Sequence, residues 1–183
     1  MLKKSKSQKH FLYCNYISQK ERIQTMTSLT IADIKDFTGK LFLAEVFDNF
    51  LTTEAEFSTT FQVTLDGHLL EREKDCPDEY VRWKKIRPLA FQIIKGKQLP
   101  KSFHIVFKLA GENVPRTLQS MGVPFTEEDV AGLYLNIRYE NHQIYCVTGC
   151  SLRTFSLDKS LEKEWDEVIK RFLRHHQIPF EEA

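Results

Sequence analysis

An α+β domain is what this chain predicts, from three observations. Several segments alternate apolar and polar residues, as half-buried strands do. Turn residues follow them closely, so neighbouring strands run antiparallel. Segments of helical period lie between the strands, an arrangement that disfavours a doubly wound parallel sheet. The expectation is a single domain with a mostly antiparallel sheet of about 5–6 strands packed against helices. One sheet face should be covered and the other more polar.

Residues 1–25 are polar and aperiodic, and carry Lys3, Lys4, Lys6, Lys9, Lys20 and Arg22 against Glu21. They read either as a basic tail for something anionic or as a mis-called start ahead of Met26. Ordered pattern begins just after Met26, which favours the second reading. Ser28 or Thr30 is placed to cap a helix whose apolar stripe is Ile31, Ile34, Phe37 and Leu41. Leu41 to Leu51 suits helix and strand equally.

Thr59 to Leu65 alternates and is followed by Asp66-Gly67, which predicts a hairpin returning through His68-Leu69-Leu70. Glu71 to Glu79 reads as an exposed charged loop. Pro88 suits the first turn of a helix with Leu89, Ile93 and Ile94 buried and Gly96 as its stop. Phe103 to Leu109 predicts a strand, and Glu112 to Met121 a short helix with Pro115 in its first turn and Gly122 after it.

Leu133 to Tyr139 sets Leu133, Leu135, Ile137 and Tyr139 on one face and Tyr134, Asn136 and Arg138 on the other. A turn at 140–142 leads to a return strand over 143–148. Gly149 is then expected to be a bulge before a further strand from Leu152 to Leu157. Leu161, Trp165, Val168, Ile169, Phe172 and Leu173 form the stripe of a long C-terminal amphipathic helix. The domain is set at 26–178, with 179–183 as a short tail.

Composition narrows the function classes. The chain of 183 residues is 42% apolar, with 14 phenylalanines, which supplies one core. No apolar run reaches membrane-spanning length, and no clean signal peptide precedes the body. Cys14, Cys76, Cys146 and Cys150 suit a reducing compartment, so the expected location is the cytoplasm.

The strongest charge asymmetry lies in 82–101. Arg82, Lys84, Lys85, Arg87, Lys95, Lys97 and Lys101 occur there without a carboxylate, and Trp83 and Phe91 stand among them. A one-sign segment with aromatics is what an anionic partner such as RNA or single-stranded DNA would need. It also describes a solvated helix face paired with the acidic loop at 71–79. The expected function is therefore a non-catalytic binding domain whose site is Arg82, Trp83, Lys84, Lys85, Arg87, Lys95, Lys97 and Lys101. An enzyme with its site near Arg138, His142 and Arg153 is the alternative, and a protein–protein adaptor using the polar sheet face or a strand edge is another.

No cofactor, metal or catalytic set is expected. P-loop, dinucleotide, nucleophile-elbow and zincin motifs are absent. Cys146 and Cys150 have zinc-like spacing, but residues four apart on a straight strand are about 13 Å apart, which favours buried free thiols. His175-His176 suits a helix end, and Glu54 and Glu56 an edge strand. Ser151, Arg153 and Thr154, beside the expected bulge, form a weaker candidate site.

Sequence similarity adds a family but no chemistry. The residues concerned are Gly132-Leu133-Tyr134-Leu135-Asn136-Ile137-Arg138-Tyr139, Thr148-Gly149, Ser151 to Leu161 and Trp165-Asp166, with Ile94 to Lys97 and Ser102 to Phe107. Over Met26 to Ile178 the chain resembles an uncharacterised family of small proteins from Gram-positive anaerobes, classed as a domain of unknown function. The resemblance supports Met26 as the start and implies no activity, cofactor or catalytic residue.

Overall fold

The computed structural model describes residues 27–70, 78–96 and 100–182; the expectations for 1–25, Met26, most of the 71–79 loop, and Lys97 fall outside them. The elements are β1 (Ser28–Ile31), α1 (Ile34–Phe42), β2 (Leu51–Ser58), β3 (Gln62–Asp66), α2 (Trp83–Ile94), β4 (Ser102–Lys108), a 3-10 turn (Gly111–Asn113) and α3 (Val114–Met121). There follow β5 (Val130–Glu140), β6 (Gln143–Leu152), α4 (Ser160–His175) and β7 (Phe180–Glu182). The fold is α+β, with one antiparallel sheet of seven strands in the order β3-β2-β4-β5-β6-β1-β7.

Alternation sorts the strand residues onto two faces. Phe57, Phe103, Ile105, Phe107, Leu133, Leu135, Ile137, Ile144 and Cys146 are buried on one, and the helices add Phe37, Leu41, Trp83, Ala90, Leu118, Leu161, Trp165, Ile169 and Leu173 to the same core. Phe47 and Phe50 from the α1–β2 connection stack on Phe107 and meet Phe172 of α4 edge-on, so aromatic rings join the helix layer to the sheet. Trp165 fixes α4 by donating its indole N–H to the Tyr134 carbonyl at 2.8 Å.

Local signals held where the partners are local. Asn141 and His142 turn β5 into β6 with φ of 50° and 60°, as a two-residue hairpin with right-handed twist requires. Gly122 ends α3 with φ 67°. The final helix carries Glu162 in its first turn and Arg174 and His175 in its last, matching its dipole.

Other expectations are corrected. Ser28–Ile31 is a strand between β6 and β7, and α1 begins at Ile34, capped by the Asp33 carboxylate, which accepts from the Asp36 N–H at 2.9 Å. Thr59 to Phe61 is the turn that joins β2 to β3, so the hairpin partner lies upstream and not beyond Asp66-Gly67. In place of a returning strand, His68 forms an isolated bridge with Tyr80.

Pro88 is the sixth residue of α2, not in its first turn. The inward stripe runs through buried Trp83 and Ala90 with Ile86 and the expected Ile93 and Ile94 half-buried beside them, which leaves Leu89 53% exposed on the far side. Pro88 is exposed too, where water can satisfy the carbonyl that its missing N–H leaves. Gly149 sits opposite Tyr134 in an unbroken ladder, and the irregularity lies instead between Val130 and Gly132. The strand expected from Leu152 to Leu157 does not form; β6 ends at Leu152. Phe155 and Leu157 alternate but are 89% and 82% exposed in the loop before α4. The expected tail is strand β7, which extends the sheet past β1, and α4 has a modest 16 residues.

Candidate functional site

The basic segment divides when it folds. Trp83 is fully buried, and its indole N–H donates to the Leu41 carbonyl at 2.8 Å. It is a core residue and offers no stacking surface, which overturns its expected role. Arg82 places Nη2 2.9 Å from Asp78 and 3.0 Å from Glu112. Arg87 grips Asp48 with two hydrogen bonds, Nε at 2.8 Å and Nη2 at 2.9 Å, and donates Nη1 to the Leu43 carbonyl at 2.8 Å. Both guanidinium groups are thus structural clamps between α2 and its neighbours. Lys84, Lys85, Lys95 and Lys101 remain exposed, with Lys95 lying over the Phe91 ring at 5.8 Å.

The Arg87 clamp has a measurable consequence. Arg87→Met leaves a largely buried Asp48 carboxylate without its partner, and should cost about 2–3 kcal/mol in urea unfolding. Added to Asp48→Asn, it should cost much less than when made alone.

The sheet's uncovered face gathers more. In register across it run Glu56, His104, Arg138, Tyr145 and Thr30, and beside them Glu54, Val106, Asn136, Val147 and Ser28. A further row pairs Lys108 with Tyr134 and Gly149. Burial, and then the Arg138 charge beside it, lower the His104 pKa, so its imidazole is neutral at pH 7. Glu54 and Glu56 share this face as expected, but β2 is an inner strand covered by β3, not an edge. On β4, β5 and β6 the positions from His104 to Lys108, Tyr134 to Arg138 and Tyr145 to Gly149 hold two tyrosines, an arginine and a lysine on this face, and no carboxylate. The alternation in Leu133 to Tyr139 already grouped Tyr134, Asn136 and Arg138. What it lacked was the strand order that sets them beside His104, Lys108 and Tyr145.

The alternative enzyme residues do not converge. Arg138 and His142 lie at the hairpin end of β5–β6, with the His142 ring 3.4 Å from the Tyr139 hydroxyl. Arg153 lies beyond the other end, roughly 25 Å along the strand. Cys146 is buried and Cys150 half-buried, both as free thiols. Burial pushes both thiols well up, and the Glu162 and Asp166 carboxylates add to this at Cys150. Asp166 accepts hydrogen bonds from the Thr148 and Thr27 hydroxyls and so ties α4 to β6 and to the start of β1. His176 packs on Phe172, with His175 beside it. Among the described residues no helix is long and apolar enough to cross a membrane.

These features define an antiparallel α+β domain with helices on one face and an aromatic, cationic stripe along the middle of the other. The chain belongs to DUF5721, a family of unknown function, whose model matches residues 40–181. That span runs from within α1 into β7. No curated protein and no solved structure matches the chain.

Proposed function

We propose that the domain is a non-catalytic, cytoplasmic binding module for single-stranded RNA or DNA that works through the uncovered face of β4, β5 and β6. The observation that carries this reading is the carboxylate-free stripe of Lys108, Tyr134, Arg138, His104 and Tyr145. Tyrosine rings on a sheet face give bases a stacking surface, worth about 1–3 kcal/mol per base, and flanking cations take the phosphates. Glu54 and Glu56 border the stripe on β2 and repel a strand that strays from it. Free thiols at Cys146 and Cys150 are in keeping with a reducing compartment.

The test is fluorescence anisotropy of the full chain with labelled single-stranded and duplex oligonucleotides across a salt series. Single strands should bind better than duplex. Tyr134→Ala and Tyr145→Ala should each weaken binding about tenfold. Arg138→Ala should make the log–log salt dependence shallower by about 0.7. Absence of binding at low salt would reject the reading and leave a protein partner for this face. Binding that ignores these substitutions but is lost with Lys84→Ala and Lys85→Ala would move the site to α2.

A further inference from the structure

We propose that the depression at the lower end of this face, between the end of β4 and the start of β5, binds a small zwitterion of amino-acid or short-peptide type. Its volume is about 510 Å3, within the range of small-molecule sites. Two cations and two anions line it: Lys108, Arg153, Glu127 and Glu128.

The backbone frame is tightly tied. Asp129 accepts hydrogen bonds from the Thr126 N–H at 2.9 Å and the Thr126 hydroxyl at 2.8 Å, which closes the turn that carries Glu127 and Glu128. Its carbonyl accepts the Arg153 N–H at 2.8 Å, which fastens that turn to the end of β6. The Leu109 N–H donates to the Leu133 carbonyl at 2.8 Å and holds the third side. Its glycines play two parts: Gly132 lets the Tyr134 ring lie across the backbone, since a Cβ there would be 2.6 Å from the ring, and Gly111 leaves open space, with nothing within 4 Å of its Cβ direction.

Within this frame the opposite charges are not spent on one another. Among the described residues, Arg153, Glu127 and Glu128 make no ion pair. Among the described residues the Lys108 ammonium makes no ion pair either, and it lies 5.4 Å from the Tyr80 ring and 6.0 Å from the Tyr134 ring. Those rings position the ammonium without forming an ion pair with it. A purely anionic ligand would meet Glu127 and Glu128, and a purely cationic one Lys108 and Arg153. A molecule with a carboxylate at one end and an ammonium at the other answers both pairs, and Leu109, Val114 and Val130 provide apolar wall for the stem between.

The inference stands apart from the nucleic-acid reading, although Lys108 belongs to both surfaces. The experiment is a 1H–15N NMR titration of the full chain with glycine, dialanine and trialanine, with acetate and n-butylamine as single-charge controls. At least one zwitterion should shift the Gly111, Gly132 and Arg153 amides saturably, with Kd at or below about 1 mM. Arg153→Ala, and Glu127→Gln with Glu128→Gln, should each weaken it at least about tenfold while leaving the rest of the spectrum in place. The glutamine pair should not weaken oligonucleotide binding, so the two readings fail separately. No saturable shift from any of the three at about 10 mM, an unchanged shift in Arg153→Ala, or an equal shift from acetate or n-butylamine alone would overturn the proposal.

Discussion

Trp83→Ala is expected to remove about 4 kcal/mol of folding stability, read as a drop in the urea midpoint at unchanged slope. Emptying a fully buried tryptophan site costs about 3–5 kcal/mol because its neighbours collapse only partly into the space. Here those neighbours are Phe107, edge-on at 5.2 Å, and Phe42 at 6.0 Å, both held by other rings and by the sheet. The substitution also strips the Leu41 carbonyl of its indole donor, leaving a buried acceptor unpaired at the joint of α1 and α2. Domains of this kind are stable by only about 5–15 kcal/mol, so the loss is a large share of the total. Trp83→Phe keeps most of the ring and loses the donor, and should cost about 1–2 kcal/mol. A surface platform for bases would behave in the opposite way: Trp83→Ala would leave stability within about 0.5 kcal/mol and weaken oligonucleotide binding. The two roles for this residue therefore predict different readouts from one variant.

Trp83 shows why the sequence pointed to α2 instead of the sheet. A run of basic residues is visible in one dimension, as is the nearby Asp78, but its distant carboxylate partners are not. Asp48 lies 39 residues before Arg87, and Glu112 lies 30 after Arg82. Once these pairs form, the cations that stay exposed among the described residues of the segment are Lys84, Lys85, Lys95 and Lys101. Helical geometry then sends Trp83 inward and Leu89 outward, an assignment that depends on where α2 starts.

Period-two alternation was legible because it needs no partner: the polar set Tyr134, Asn136 and Arg138 and the hairpin at Asn141-His142 were both apparent. Strand order was not. Ser28–Ile31 pairs with Tyr145 to Val147 and with Phe180 to Glu182, more than a hundred residues downstream, and taken alone its spacing continues into the stripe of α1. Phe155 and Leu157 present the converse case, an alternating pair that no strand receives. The candidate face was thus half legible: its residues were sorted within Phe103 to Leu109 and Leu133 to Tyr139 but not along β6, and only tertiary pairing brought the three strands side by side.

Gly67→Ala is the second large effect, and its size separates two accounts of one dipeptide. If Asp66-Gly67 were a tight turn, the glycine would supply a positive φ, and alanine would cost about 1 kcal/mol. Gly122 is such a position, with φ 67° and nothing within 4 Å of a Cβ, and Gly122→Ala should cost about that amount. Gly67 is different. It is buried, and a Cβ there would lie 1.7 Å from the Thr52 carbonyl oxygen and 2.7 Å from the Thr52 carbonyl carbon. Those atoms cannot retreat. Thr52 pairs with Phe107 of β4 on one side, its N–H donates to the Val81 carbonyl at 2.8 Å, and the Val81 N–H returns to the Gly67 carbonyl at 2.8 Å. A methyl group must therefore part β2 from the chain that crosses its end, breaking hydrogen bonds that tie Gly67 to Thr53 and Val81. Gly67→Ala should cost about 3 kcal/mol or more, the upper end of overpacking. The loss should coincide with faster hydrogen exchange at the amides of Gly67, Val81 and Thr52, while those of β5 and β6 stay protected until global unfolding. A cost near that of Gly122→Ala would mean that Thr52 yields, and that the close approach of the two backbones is not what the glycine is for.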